Sequence, residues 1–180
     1  NLKLADISSS KLTTEAVLAN PYKALSDASL NAIGNRIQKT ISFGVGRSNL
    51  ANDAPVDDPL FFDYAWNTIP NTGHYRDELR DKARKQLGTV GSGNHYVDVF
   101  VDKADESIWV GVHFGSRGLG HTIASNFLAI GQGGSWGDKG QEVETRLDLS
   151  SQIGQDYWSL VELAGRYAYA GREWVARKVV

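Results

Sequence analysis

The sequence predicts an α+β fold of mixed strands and helices, with a β-hairpin at about residues 95–114 and a long helix at about residues 152–180. Three observations predict it. Tyr96 to Val101 and Ser107 to Val112 are rich in β-branched and aromatic residues and flank the polar stretch Asp102-Lys-Ala-Asp-Glu106, which has the length of a hairpin loop. From Gln152 onward, Ile153, Tyr157, Leu160, Ala164, Tyr167, Gly171 and Trp174 recur at steps of four and three, the stripe of a long packed helix. Shorter helical patterns precede and follow the hairpin.

In chain order, Asn1-Leu-Lys-Leu-Ala-Asp-Ile7 alternates as a strand does, and Ser8 to Thr13 reads as a turn or helix entry. Residues 26–39 form a helical pattern, with Ser26 as the cap and Leu30, Ile33 and Ile37 on one face. Thr40 to Asn49 carries a short apolar run into a glycine turn, and the proline-bearing stretch Asn52 to Pro59 is a loop. His74 to Leu87 is a charged helix with Leu79, Ala83 and Leu87 one turn apart; His74 itself reads as a local cap or surface group. After the hairpin, Leu119 to Ile130 is helical, and Gly131 to Gly137 is a flexible or tightly turning loop. The aromatic residues of the last helix read as core rather than as a base-stacking platform.

A chain of 180 residues can bury one sizeable core, and no repeat or shift in composition marks a second domain. We therefore expect residues 1–180 to be one part of a single domain. The formal net charge of −2 carries no overall signature of a nucleic-acid binder, although a neutral total can contain a basic cleft. Cysteine is absent, which excludes disulfides, thiolate ligands and a Cys nucleophile within these residues. Any metal must then use His, Asp or Glu. The sequence has neither a bilayer-length apolar run nor a secretory start, so the expected compartment is cytoplasmic. The first residue is Asn, Met is absent, and the last helical pattern reaches Val180 without a capping Gly or Pro; a segment cut at both ends is expected.

Two glycine-framed motifs bracket the hairpin: Gln86-Leu-Gly-Thr-Val-Gly-Ser-Gly-Asn-His95 and His113-Phe-Gly-Ser-Arg-Gly-Leu-Gly-His121. A turn centred near Ala104 pairs residues whose numbers sum to about 208, which sets His95 opposite His113 with Cβ atoms roughly 5 Å apart. Two imidazoles so placed can share one metal ion or serve one each of a close pair. A one-residue slip would send them to opposite faces. A lone histidine near a strand end is usually just a hydrogen-bonded residue, and the argument rests on the pair. Gly88, Gly91 and Gly93 allow sharp turns and close approach of main-chain N–H groups to a phosphate, and Asn94 offers a donor and an acceptor. Beyond His113, a glycine turn opens a helix whose free N–H groups favour an anion, and Arg117 adds a guanidinium fork suited to phosphate. His121 could reach the same phosphate but reads more simply as a surface helix residue.

Trp109 to Ala124 also looks like the strand, glycine turn and helix that open short-chain dehydrogenases. The match is partial: that family's first glycine falls at Phe114 here, and no Tyr-x-x-x-Lys pair is present. A dinucleotide binder of that kind is the remote alternative.

Taken together, the two glycine-histidine motifs closely resemble those of the RtcB family of GTP-dependent RNA ligases in order, spacing and intervening strands. Ile41 to Asn49 resembles that family's earlier glycine loop, and Gln155-Asp-Tyr157 through Ala170-Gly-Arg-Glu173 its following long helix. The resemblance implies an RtcB-like α+β fold around a dinuclear metal site, and joining of an RNA 2′,3′-cyclic phosphate or 3′-phosphate end to a 5′-hydroxyl end. Implied cofactors are GTP and two Mn2+ ions; the implied partner is RNA with such ends, as in tRNA splicing or RNA repair. Residue by residue, it implies His95 and His113 as metal ligands, Asn94 at the nucleotide or metal-bound phosphate, and Arg117 on an RNA or nucleotide phosphate. Tyr96 and Asp98 match positions bordering the guanylate pocket, with Asp98 standing where Glu is more usual.

By the same resemblance, residues 1–180 are the central part of the catalytic domain. Its Asp and Cys ligands belong before Asn1, and its remaining His ligand and guanylylated His belong beyond Val180. The chain by itself is then expected to bind metal weakly and not to ligate RNA. The alternative is a non-catalytic RtcB-like module that binds metal, nucleotide or RNA.

Overall fold

A computed structural model describes residues 15–20, 26–70 and 74–180; the strand and turn expected over residues 1–13 lie outside these. Three antiparallel strands form one sheet in the order β1 (Glu15–Asn20), β3 (Ile108–His113), β2 (Tyr96–Val101). Around it stand four helices: α1 (Asp27–Thr40), α2 (Tyr75–Gln86), α3 (Arg117–Gly131) and α4 (Gln152–Val179). The α+β class is as expected. Strand β1 was not foreseen, and it makes β3 the central strand. The antiparallel pairing on both sides of β3 removes the dehydrogenase alternative, whose dinucleotide fold is built on a parallel sheet.

The helices follow from their caps and stripes. Ser26 caps α1 through its hydroxyl, which accepts from the Ser29 N–H at 3.2 Å. Ile37 of its stripe is buried and Ile33 packs against the same cluster, but Leu30 lies exposed. Leu79, Ala83 and Leu87 are all buried, as their spacing predicts for α2. His74 takes a left-handed conformation before α2 and makes no side-chain cap bond. The Gly131–Gly137 segment turns tightly, seating Trp136 edge-on against Phe127 with ring centroids 5.9 Å apart.

Two hydrophobic clusters result. The first gathers Phe61, Trp66, Leu87, Leu119, Ile123, Leu160, Leu163 and Tyr167. Its aromatic floor comes from two short 3-10 turns, Pro59–Phe62 and Tyr64–Thr68, started by the Asp58 and Asp63 carboxylates, which accept from the Leu60 and Ala65 N–H groups. The second joins Ile37, Ile41, Val90, Val110, Val112, Phe114, Val175 and Ala176. Helix α4 belongs to both and runs behind the two glycine motifs. Tyr167 on α4 is core, as predicted, and its hydroxyl donates to the Ala83 carbonyl at 2.9 Å. That carbonyl also accepts from the Leu87 N–H, so Tyr167→Phe strands no partner and should cost about 1 kcal/mol in urea unfolding.

The hairpin forms, but its register differs by one residue from the expected one. Tyr96, not His95, faces His113, and the pairing continues to Val101 opposite Ile108. The cause lies in the loop. Asp102 still belongs to the ladder side, its N–H bonded to the Ser107 carbonyl, which leaves four loop residues instead of five. Two short turns build that loop: the Asp102 carboxylate accepts from Ala104 N–H, and the Asp105 carboxylate from Ser107 N–H. Glu106 closes it at a φ of 60°. Val97, Val99, Ile108, Val110 and Val112 therefore share the core face, while Tyr96, Asp98 and His113 share the other.

Candidate functional site

His95 sits one residue before β2, outside the ladder, so the register shift does not turn it away. Its ring lies 6.1 Å from that of His113, centroid to centroid, at an interplanar angle of 67°. The Tyr96 ring stacks on His113 at 5.3 Å and 22°. The histidines thus meet as expected, by a different route from the one the ladder argument assumed.

Arg117 organises the meeting. It opens α3 at a φ of 54°, a left-handed conformation costing a non-glycine residue about 1–2 kcal/mol. From there its guanidinium reaches three acceptors: Thr89 Oγ1 at 3.2 Å, the Gly44 carbonyl at 3.2 Å and His95 Nδ1 at 3.4 Å. One side chain so ties the glycine turn at Gly44, Thr89 of the first motif and His95 together. Gly91 makes room for it, because a Cβ there would overlap both His95 Nδ1 and Arg117 Nη1. The two motifs interlock once more through Gln86, whose side-chain oxygen accepts from the Gly118 N–H at 3.1 Å and serves the start of α3, where Ser116 makes no cap.

Burial, helped by the Arg117 charge and then by His113, holds the His95 imidazole below its ordinary pKa. It is therefore neutral near pH 7, the form a metal requires. Since a guanidinium only donates, the Nδ1 facing Arg117 must be the lone-pair nitrogen, and the ring proton then sits on Nε2. An ion at Nε2 needs the opposite tautomer, and an ion at Nδ1 displaces the arginine. Metal at His95 and the Arg117 contact are alternatives.

Two imidazoles on one ion, with metal–nitrogen distances of about 2 Å, have centroids roughly 5–6 Å apart, and the 6.1 Å between His95 and His113 lies just beyond that range. Among the described residues, no group of three or more His, Cys, Asp or Glu could complete such a site.

Asn94, His95 and His113 border a cleft of about 480 Å3 whose far wall is α4, including Tyr157, Ala168 and Arg172. Tyr96 and Asp98 instead line a broad groove of about 1530 Å3 along the outer edge of β2, opposite Lys39, Arg47 and Lys178. The three residues matched to nucleotide contacts are therefore divided between two neighbouring hollows, joined through the Tyr96–His113 stack. His121 is exposed on α3. Sequence reasoning missed Thr89, Gly44 and Arg172. The signal for the last was an arginine directly after Gly171 in the apolar stripe of α4.

No helix among the described residues is long and apolar enough to cross a membrane. The family described as "tRNA-splicing ligase RtcB" matches residues 19–180. Similar proteins include the tRNA-splicing ligase RtcB of Archaeoglobus fulgidus, 35% identical over 118 residues, covering 57% of this chain and 24% of that protein. The tRNA-splicing ligase RtcB of Thermococcus kodakarensis is 34% identical over 126 residues, covering 57% and 26%. The RNA-splicing ligase RtcB of Escherichia coli K12 is 32% identical over 92 residues, covering 48% and 22%. This chain spans about a quarter of the length of these relatives.

Proposed function

The chain belongs to the RtcB family, and from that premise we propose that it carries part of the catalytic centre of a cytoplasmic RNA ligase, joining 3′-phosphate or 2′,3′-cyclic phosphate ends to 5′-hydroxyl ends with GTP and Mn2+. The observation that carries the reading is the juxtaposed His95–His113 pair with Arg117 beside it. His95 and His113 hold metal, and Asn94 and Arg117 hold phosphate. Tyr96 and Asp98 border the guanylate. Bound Mn2+ would supply charge neutralisation at crowded phosphates and help position the attacking hydroxyl.

The chain's own groups account for the rest. The neutral His95 offers a lone pair without a prior deprotonation. Arg117 donates three of its five N–H groups to protein acceptors, and the remaining two suit phosphate oxygens. A phosphate that draws Arg117 from His95 Nδ1 also releases the histidine for metal, so substrate and ion favour each other's binding. The α4 wall of the cleft keeps bulk water from one side of the pair.

The test uses the full-length protein, RNA strands with 3′-phosphate and 5′-hydroxyl ends, GTP and Mn2+. The expected product is joined RNA whose formation requires both GTP and the metal. Residues 1–180 alone should bind Mn2+ weakly and accept no GMP. Binding of metal or RNA by the full-length protein without joining would replace the ligase reading with a non-catalytic module, and GMP attachment to the isolated 180 residues would overturn the division of the site.

A further inference from the structure

Arg172 lies in the C-terminal third of α4, yet it is only 4% exposed, a depth at which arginine is rarely found without a specific partner. Its Nη1 donates to the Phe114 carbonyl at 2.8 Å. Phe114 follows His113 directly and stands beyond the last pair of both ladders, so among the described residues no neighbouring strand serves that carbonyl. It is 2% exposed, and water cannot readily serve it either. The preceding residue, Gly171, presses against the same place: a Cβ there would come within 3.1 Å of the Phe114 ring and 3.5 Å of the Gly88 nitrogen. Consecutive residues of α4 thus hold the Phe114 ring, the Phe114 carbonyl and the backbone of the first motif. Arg172 also borders the cleft shared by His95 and His113.

We infer that Arg172 is a positioning residue for the metal pair: by fastening the Phe114 carbonyl it fixes where β3 ends, and so where the His113 imidazole stands relative to His95. Upstream, His113 is held by its ladder partners Tyr96 and Glu15; downstream, Arg172 is the anchor. The inference rests on His113 being a metal ligand. A guanidinium suits the task because it stays charged when buried and reaches with a planar fork, whereas an ammonium offers a single point donor.

The experiment compares full-length wild type, Arg172→Met, Arg172→Lys and His113→Ala by Mn2+ titration followed by electron paramagnetic resonance, alongside RNA-joining kinetics and circular dichroism. Arg172→Met should keep its helix signal, bind Mn2+ about 10–100-fold more weakly and lose joining rate in kcat rather than in KM for RNA. Arg172→Lys should fall between, and millimolar methylguanidinium should restore part of the Mn2+ affinity of the Met variant. If the Met variant does not fold, the Lys variant decides by the same titration. Unchanged Mn2+ affinity in the folded Arg172 variants, with His113→Ala still losing it, would overturn this inference alone. Unchanged affinity in His113→Ala would overturn the ligand reading and this inference with it.

Discussion

Replacing His113 with Ala should lower RNA joining by the full-length protein roughly a thousandfold or more, a barrier increase of about 4 kcal/mol. One of the two imidazoles that could meet a shared ion is removed, and no third ligand among the described residues can substitute. The fold should survive, because His113 is half-buried at the end of β3 on the face turned away from the core. Its loss also removes the ring stacked on Tyr96, worth about 1 kcal/mol. Thermal unfolding should accordingly shift by only a few degrees while Mn2+ affinity collapses. Near-normal joining with Mn2+ would show that His113 is not a ligand.

Gly91→Ala should lower joining by about a hundredfold, since a displacement of the order of 1 Å at a catalytic group costs that much. The cause is room, not backbone freedom. Gly91 does not adopt a positive φ, but a methyl group there would occupy the space of His95 Nδ1 and Arg117 Nη1 together. Both side chains must move, and the Thr89 and Gly44 contacts of Arg117 move with them. Gly93 provides the contrast, with a φ of 75° and nothing within 4 Å of its added Cβ. Gly93→Ala should cost about 1 kcal/mol of stability through backbone strain and leave most of the joining activity. Urea unfolding and joining rates on the two variants separate the two uses of glycine, and equal activity losses would refute this account.

The helices were legible because each buries one face, and that face is written at steps of three and four. The strands of the hairpin were legible in their residue types. Their register was not, because it turned on whether Asp102 joined the loop or the ladder, and side-chain bonds from Asp102 and Asp105 decided this. Strand β1 escaped notice for a related reason: its partner is β3, some ninety residues away, and a six-residue strand declares little by itself. The 3-10 turns from Pro59 to Thr68 have neither helical nor strand periodicity, yet they deliver Phe61 and Trp66 to the core. At the site, the motif residues could be named in advance, but not the network among them. That Arg117 would reach Gly44, seventy-three positions earlier, depends on the chain having already folded.

The single helix behind both glycine motifs has a consequence for how the molecule can come apart. Leu160, Leu163 and Tyr167 anchor α4 in one cluster, and Val175 and Ala176 anchor it in the other. Fraying that exposes either cluster must loosen the rod common to both, so the two halves are expected to open as one cooperative unit. Amide protons near the middle of that rod should then be among the slowest to exchange. The histidine pair borders the cleft walled by that rod, and its geometry is expected to persist until the rod opens.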